Sequence, residues 1–222
     1  MKKVVIVGGN SGIGLSFVQK FNRKHQIVCL NRKGFSEDLN VEQHTFDVLT
    51  DEFPVQDHFD SLIYCPGSIN LKPFKNLTDQ DFKNDMDINF NGAVKCIKSS
   101  LPLLNKNGIS SIVLFSTIAV AQGMPFHASI ASAKGAVEAL AKSLAAEFAP
   151  HIRVNVVAPS VTKTEMFDQM EEKARNTLIE SSALKRVAEP IEIANLVAFL
   201  SSNLNTYITG QNIIVDGGFS VT

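Results

Sequence analysis

The sequence predicts a single α/β domain: a doubly wound parallel sheet of seven strands flanked by helices. Three observations lead there. The 222 residues suit one large domain and show no linker. The chain opens on an apolar β-branched run, Val4-Val5-Ile6-Val7. This breaks into Gly8-Gly9-Asn10-Ser11-Gly12-Ile13-Gly14 and then into an amphipathic segment with Leu15, Phe17, Val18 and Phe21 at helical spacing. Short apolar runs then alternate with helical patterns to the carboxyl end, the mark of parallel strands joined by crossover helices.

The first unit is strand, tight turn, helix. Glycine at such a turn takes backbone angles closed to other residues and lets main chain approach a ligand. The free N–H groups and dipole of the new helix favour an anion such as a pyrophosphate. Gly8, Gly12 and Gly14 stand in a Gly-x-x-x-Gly-x-Gly pattern. Such turns also serve close packing alone, so the motif takes its meaning from the rest of the chain.

Residues 26–30 read as a buried second strand ending at Asn31-Arg32-Lys33. An acid near this point commonly holds the ribose hydroxyls of a dinucleotide, whereas arginine accommodates a 2′-phosphate. Arg32 with Lys33 therefore favours NADP(H) over NAD(H); the plain alternative is a solvated basic turn. Residues 34–40 leave room for at most one helical turn before a third strand at 43–46, with Asp47-Val48 at its carboxyl end. Residues 49–58, interrupted by Pro54, are again too short for a full crossover helix. A fourth strand at 60–65 runs into Pro66-Gly67. The two shortened crossovers predict a thinly covered sheet face on that side.

Thr78 with Asp81 behind it marks a helix start. Phe82, Met86, Phe90, Val94 and Ile97 continue one face to about residue 104, with Pro102 distorting the last turn. A fifth strand at 109–115 ends at Ser116-Thr117, and 118–126, with Gly123 and Pro125, reads as a loop. From His127 an alanine-rich run through Lys134, Val137, Leu140 and Leu144 predicts a helix up to Pro150. The sixth strand, 152–157, stops at Ala158-Pro159-Ser160. The polar segment 161–187 is expected to be a mobile lid on the substrate side. Pro190 opens a helix whose inner face holds Ile193, Leu196, Val197 and Leu200. A seventh strand, 213–215, closes at Asp216-Gly217-Gly218. Ligands of such sheets bind at the carboxyl ends of the strands, near the switch in strand order.

Hydrophobic residues make up 45% of the chain and charged ones 19%, with a net charge of -1, so there is no field to attract nucleic acid or an anionic membrane. Cys29, Cys65 and Cys96 are odd in number and far apart, which suggests neither a disulfide framework nor close zinc ligands and fits a reducing cytoplasm. The histidines at 25, 44, 58, 127 and 151 lack metal-ligand spacing, and no metal is expected. The apolar run after Met1-Lys2-Lys3 breaks at Gly8, too soon for a signal peptide. No stretch nears the roughly 18 apolar residues that span a bilayer.

Over nearly its whole length the chain resembles a short-chain dehydrogenase/reductase. The matching pieces, in the family's order, are Gly8 to Gly14; Asp47-Val48; Asn89 in Ile88-Asn89-Phe90-Asn91-Gly92; Thr117 and Lys134; Asn155 to Pro159; Leu184 to Pro190; and Ile208-Thr209-Gly210 through Val215-Asp216-Gly217-Gly218. The resemblance implies one Rossmann-type, NAD(P)-binding domain over 1–222. Its cofactor contacts would come from Gly8, Asn10, Ser11, Gly12, Ile13 and Gly14 in the first turn, and from Asn31, Arg32 and Lys33 after the second strand. Asp47, Val48, Pro66 and Gly67 would follow, then Lys134, Pro159, Ser160, Thr162 and Thr164.

The resemblance also implies a relay of Asn, Ser, Tyr and Lys, the last two four residues apart on one helix face. The tyrosine exchanges a proton with the carbonyl or alcohol oxygen while hydride moves; the lysine stabilises the phenolate and binds the nicotinamide ribose. Residue by residue, the asparagine is Asn89, the serine position holds Thr117 and the lysine is Lys134. The tyrosine position holds Ile130, which can neither give nor take a proton. General acid–base catalysis is worth about 10²- to 10⁴-fold, and its loss raises the barrier by roughly 3 to 5 kcal/mol. Two candidate substitutes are Tyr64, at a strand end expected to face the cleft, and His127, one helical turn before Ile130. Each also has a plain reading: the aromatic packs, the histidine meets solvent. Val7 and Ser160 depart from the family's usual threonine and glycine.

The expectation is an NADP(H)-binding oxidoreductase for a carbonyl/alcohol pair, with atypical or reduced activity. The alternative is a non-catalytic NADP(H)-binding regulatory or structural protein. The resemblance further implies a homodimer or homotetramer paired through the helices near 79–104 and 127–149, whose outer faces carry Ala131, Ala139 and Ala146. No constellation in 161–187 identifies the substrate.

Overall fold

The computed structural model describes residues 1–35, 39–105 and 108–221, the side chain of Met166 excepted. Its strands are β1 (Lys2–Val7), β2 (His25–Asn31), β3 (Glu42–Thr45), β4 (Ser61–Tyr64), β5 (Ser110–Phe115), β6 (Ile152–Pro159) and β7 (Asn212–Val215). They form one seven-stranded sheet in the order β3-β2-β1-β4-β5-β6-β7, with every neighbouring pair parallel. The order reverses between β1 and β4, which opens a crevice at their carboxyl ends.

Alternation along β1 sends Val4 and Ile6 to one face and Val5 and Val7 to the other. On the first face α1 (Gly12–Phe21) and α8 (Pro190–Ser201) bury Phe17, Val18, Ile193, Val197 and Leu200. On the second, α3 (Gly92–Ser100) and α5 (Ala128–Phe148) bury Cys96, Ile97, Val137 and Ala141. Because α8 shares a face with α1 while the chain steps across the sheet the other way, the crossover into β7 has the opposite hand to that of β1–α1–β2, an uncommon arrangement.

No helix forms in 49–58, as the shortened crossover predicts. Instead Phe46, Val55 and Phe59 are buried against the sheet, and Phe53 packs edge-on to Phe46 at 6.0 Å. Part of the other short crossover, 36–38, lies outside the described residues; its flanks place Phe35, Leu39 and Val41 against the α1 face. The edge strand β3 stays largely exposed.

Three expectations need correction. The single long helix over 79–104 is instead α2 (Asp79–Met86), a wider π-helical turn (Asp87–Asn91) and α3, with Pro102 in the turns beyond. The loop over 118–126 contains α4 (Ile118–Gln122): Ile118 and Ala119 are buried, and Gly123 at φ +68° ends the helix. The segment 161–187 carries α6 (Glu165–Asp168) and α7 (Glu172–Ser181). Its base is pinned by two hydrogen bonds, Lys163 N–H to the Ala188 carbonyl at 2.8 Å and Ala188 N–H to the Val161 carbonyl at 3.2 Å. Charged side chains hid the helical content there, since α7 buries none of its residues. Among the described residues no helix is long and apolar enough to cross a membrane.

Candidate active site

The glycine turn is set by space as much as by angle. Gly8 (φ +77°) and Gly12 (φ +50°) hold left-handed backbone. A Cβ on Gly14 would overlap the Gly8 carbonyl oxygen, so no larger residue lets α1 start this close to the turn. Gly8 N–H donates to the Leu30 carbonyl at 2.9 Å and Gly9 N–H to Asn31 Oδ1 at 2.7 Å. Asn10 Nδ2 donates to the Lys33 carbonyl at 2.9 Å. These bonds tie the turn to the end of β2, where Arg32 and Lys33 stand exposed. Ser11 caps α1 without a side-chain bond among the described residues, so the first N–H groups, from Gly12, Ile13 and Gly14, remain available to an anion.

The neighbouring elements close around this turn. A Cβ on Gly8 would come 3.2 Å from the Pro66 nitrogen, and one on Gly12 would come 3.3 Å from Thr164 Cγ2. The strand ends after β4 and β6 therefore flank the glycines, as the sequence implied. After β6, Ser160 N–H donates to the Val215 carbonyl at 3.0 Å and Thr162 Oγ1 donates to the Ser160 carbonyl at 3.3 Å, which shapes the chain leaving Pro159. Asp47 Oδ1 accepts from Leu49 N–H at 2.9 Å and holds the loop after β3, while Val48 is buried beside the position a Gly92 Cβ would take.

The second part of the site is a buried wall. Asn89 (1% exposed) lies in the π-helical turn, and Ile130 (3%) and Lys134 (8%) lie four residues apart on α5. A widened turn alters the helical hydrogen-bond ladder, and Asn89 Nδ2 donates to the Asp85 carbonyl at 2.9 Å and to Ser68 Oγ at 3.3 Å. Asn89 Oδ1 is buried with no partner among the described residues. A Cβ on Gly67 would come 3.1 Å from Asn89 Oδ1 and 3.6 Å from Lys134 Nζ, so these two polar atoms converge on one glycine. Burial brings the Lys134 ammonium down to about 8, against the pull of Cys65 and Asp85 toward the charged form. Thr117 caps α4 at the carboxyl end of β5, its Oγ1 accepting from Ala119 N–H at 3.3 Å.

The two candidate substitutes fare differently. Tyr64 does not face the cleft: it is 2% exposed, packs under Gly92 and donates its hydroxyl to the Ile88 carbonyl at 2.6 Å. Burial raises its phenol far above the ordinary range, so it is a structural pin rather than a proton donor. His127 is the N-cap of α5, its Nδ1 2.7 Å from the Pro125 carbonyl. Sequence reasoning missed Asp85 and Ser68. The signal was available, since Asp85 and Asn89 are four residues apart and form a polar stripe beside the apolar Phe82, Met86 and Phe90.

An uncapped helix start behind a glycine turn, a basic strand end beside it and an orphaned amide oxygen over a buried lysine fit a dinucleotide cofactor. The comparisons agree. A family model described as Enoyl-(Acyl carrier protein) reductase matches residues 36–220. A tropinone reductase homolog of Arabidopsis thaliana is 31% identical over 99% of this chain and 91% of its own length. A 3alpha-hydroxysteroid dehydrogenase of Mediterraneibacter gnavus is 29% identical over 97% and 96%. A solved structure of ElxO with NADP bound is 25% identical, covers 100% of both chains and superposes with a TM-score of 0.88. With the strand order, the glycine turn and the Asn89–Lys134 wall in place, the chain belongs to the short-chain dehydrogenase/reductase family.

Proposed function

We propose that the protein is an NADP(H)-dependent oxidoreductase of a carbonyl/alcohol pair, slowed because Ile130 occupies the place of the proton-donating tyrosine. One observation carries this reading: Asn89 and Lys134 converge at Gly67 beside the glycine turn, while an aliphatic side chain fills the position one helical turn before Lys134. When bound, the cofactor supplies the hydride. The N–H groups at the head of α1 would hold its pyrophosphate, Arg32 and Lys33 its 2′-phosphate, and Lys134 its nicotinamide ribose. Asn10, Asn31, Asp47, Val48, Pro66, Pro159, Ser160, Thr162 and Thr164 would line its path. Thr117 would orient the substrate oxygen. The NADP held by ElxO supports the phosphorylated form of the cofactor.

Fluorescence titration with NADPH and NADH, followed by a panel of ketones and aldehydes, tests the reading. Tighter binding of NADPH and slow turnover are expected. A protein that ignores both cofactors at millimolar concentration refutes it. A second reading, a non-catalytic NADP(H)-binding regulator, draws on the same buried Ile130, and NADPH binding without any turnover would favour it.

A cytoplasmic setting suits three thiols that burial pushes up to about 12, which are poor nucleophiles. Ala139 and Ala146 are exposed on α5 and support pairing of two copies there, in a homodimer or homotetramer. Light scattering that gives a monomer mass would remove that assembly.

A further inference from the structure

Asp85 has no part in the reaction described above. It lies in the last turn of α2 and is 1% exposed. Its Oδ1 accepts from Ser68 Oγ at 2.7 Å, and Oδ2 is buried without a partner among the described residues. Its main-chain carbonyl takes the amide of Asn89. It takes no part in capping the helix, where Asp81 makes the capping box with Thr78. An interior carboxylate with one oxygen unbonded is strongly unfavourable unless a positive charge stands close.

The cation on this side of the site is Lys134 of α5: Ser68 donates to Asp85, and a Cβ on the adjacent Gly67 would come 3.6 Å from Lys134 Nζ. The charged or titratable groups acting on Lys134 are Cys65, from the end of β4, whose thiol burial keeps protonated, and, as the smaller contribution, Asp85, from α2. Ile130 adds an apolar neighbour one turn away on the same helix. We propose that Asp85 is a positioning residue of the active site, a buried counter-charge that keeps the proton on Lys134 so that the lysine ammonium replaces the missing phenol as donor to the carbonyl oxygen.

The proposal rests on the reductase reading above. In the step itself the carbonyl carbon gains the hydride and its π electron pair moves to oxygen. The oxygen takes a proton from Lys134 Nζ, leaving a neutral amine that is recharged from solvent. Burial draws the lysine toward the neutral form, and with Cys65 and, more weakly, Asp85 pulling the other way the ammonium stands at about 8, near the working range of a general acid. His127 is the weaker candidate, since its Nδ1 is engaged with the Pro125 carbonyl at 2.7 Å.

Two readouts test this. In protein labelled at lysine Cε, with Lys134→Met assigning the resonance, Lys134 is titrated by NMR without cofactor. Asp85→Asn should lower its midpoint by at least about one pH unit, and Asp85→Ser should do the same if the asparagine variant folds poorly. The falling alkaline limb of carbonyl reduction should move by the same amount, a loss of about tenfold on that limb. An unmoved midpoint overturns the proposal whatever the turnover. A moved midpoint in a protein that reduces no carbonyl overturns instead the reductase reading and the donor role with it.

Discussion

Ile130→Tyr tests the central claim by restoring one hydroxyl. Ile130 and Lys134 are buried one turn apart on the same face of α5, so a phenol at 130 would stand beside Nζ, where the lysine charge favours the phenolate. The gain expected is that of a positioned general acid, about 10²- to 10⁴-fold in turnover, or roughly 3 to 5 kcal/mol of barrier. The site is only 3% exposed, so the larger ring overpacks it, at roughly 1 to 3 kcal/mol of stability. Each kcal/mol lowers the melting temperature of a domain this size by roughly 2 to 4 °C. Activity should therefore rise while stability falls. Ile130→Phe, with the same bulk and no hydroxyl, should show the stability loss alone. The assay is NADPH consumption across a carbonyl panel, with thermal melts and an NADPH titration on the same samples. A folded tyrosine variant that binds NADPH as the parent does and turns over no faster would refute the assignment of Ile130 to the donor position.

Arg32→Ala should weaken NADPH binding and spare NADH; losing a charge-assisted bond of about 1.5 to 3 kcal/mol is worth roughly 10- to 150-fold in Kd, read by fluorescence titration. Gly14→Ala forces a methyl group onto the Gly8 carbonyl, so both the melting temperature and NADPH affinity should fall, the first by roughly 1 to 3 kcal/mol of stability. Asp81 accepts from Lys72 Nζ, Asn70 Nδ2 and Thr78, and these bonds hold its carboxyl well below the usual range. Its contribution is present above the ordinary aspartate pKa and lost as pH falls toward the folded value. Asp81→Asn should therefore lower the melting temperature at neutral pH, with the gap to the parent closing in acid. Lys134→Met alone should destabilise the protein by leaving Asp85 buried beside no cation, whereas the double variant Lys134→Met, Asp85→Leu should recover much of that stability and still fail to bind NADPH tightly. Thermal melts and titration of the single and double variants check both halves.

The sheet was legible in the sequence because its signal is local: apolar β-branched runs such as 4–7 and 26–30 end at glycine or basic turns, and every strand fell within a residue or two of its place. The elements that were missed answer to tertiary contacts. The helix α4 exists because Ile118 and Ala119 are buried, and α7 stays helical with no buried face of its own, so neither shows a period that a reader of sequence could weigh. The π-helical turn at Asp87–Asn91 left the apolar spacing of Phe82, Met86 and Phe90 intact and was invisible for that reason. In the site, Asn89 and Lys134 were readable from the resemblance and converge as implied. Tyr64 was misjudged because its neighbours decide its direction: Gly92 opens a slot under the sheet end, and the Ile88 carbonyl captures the hydroxyl.

The polar wall also constrains how substitutions in it can be interpreted. Lys134, Asp85 and Asn89 are each nearly inaccessible, and two of their oxygens lack partners among the described residues. Attraction between lysine and aspartate offsets only part of the lysine's desolvation, and removing one partner leaves the other less compensated. Any single substitution in the set will thus lower stability whether or not the residue takes part in chemistry. Stability loss carries no information about role here. What does carry it is coupling: if the lysine's proton affinity depends on the charge at position 85, the two act as a unit in the interior. The chain would then have kept a proton source at the cleft while dispensing with the tyrosine that normally delivers it.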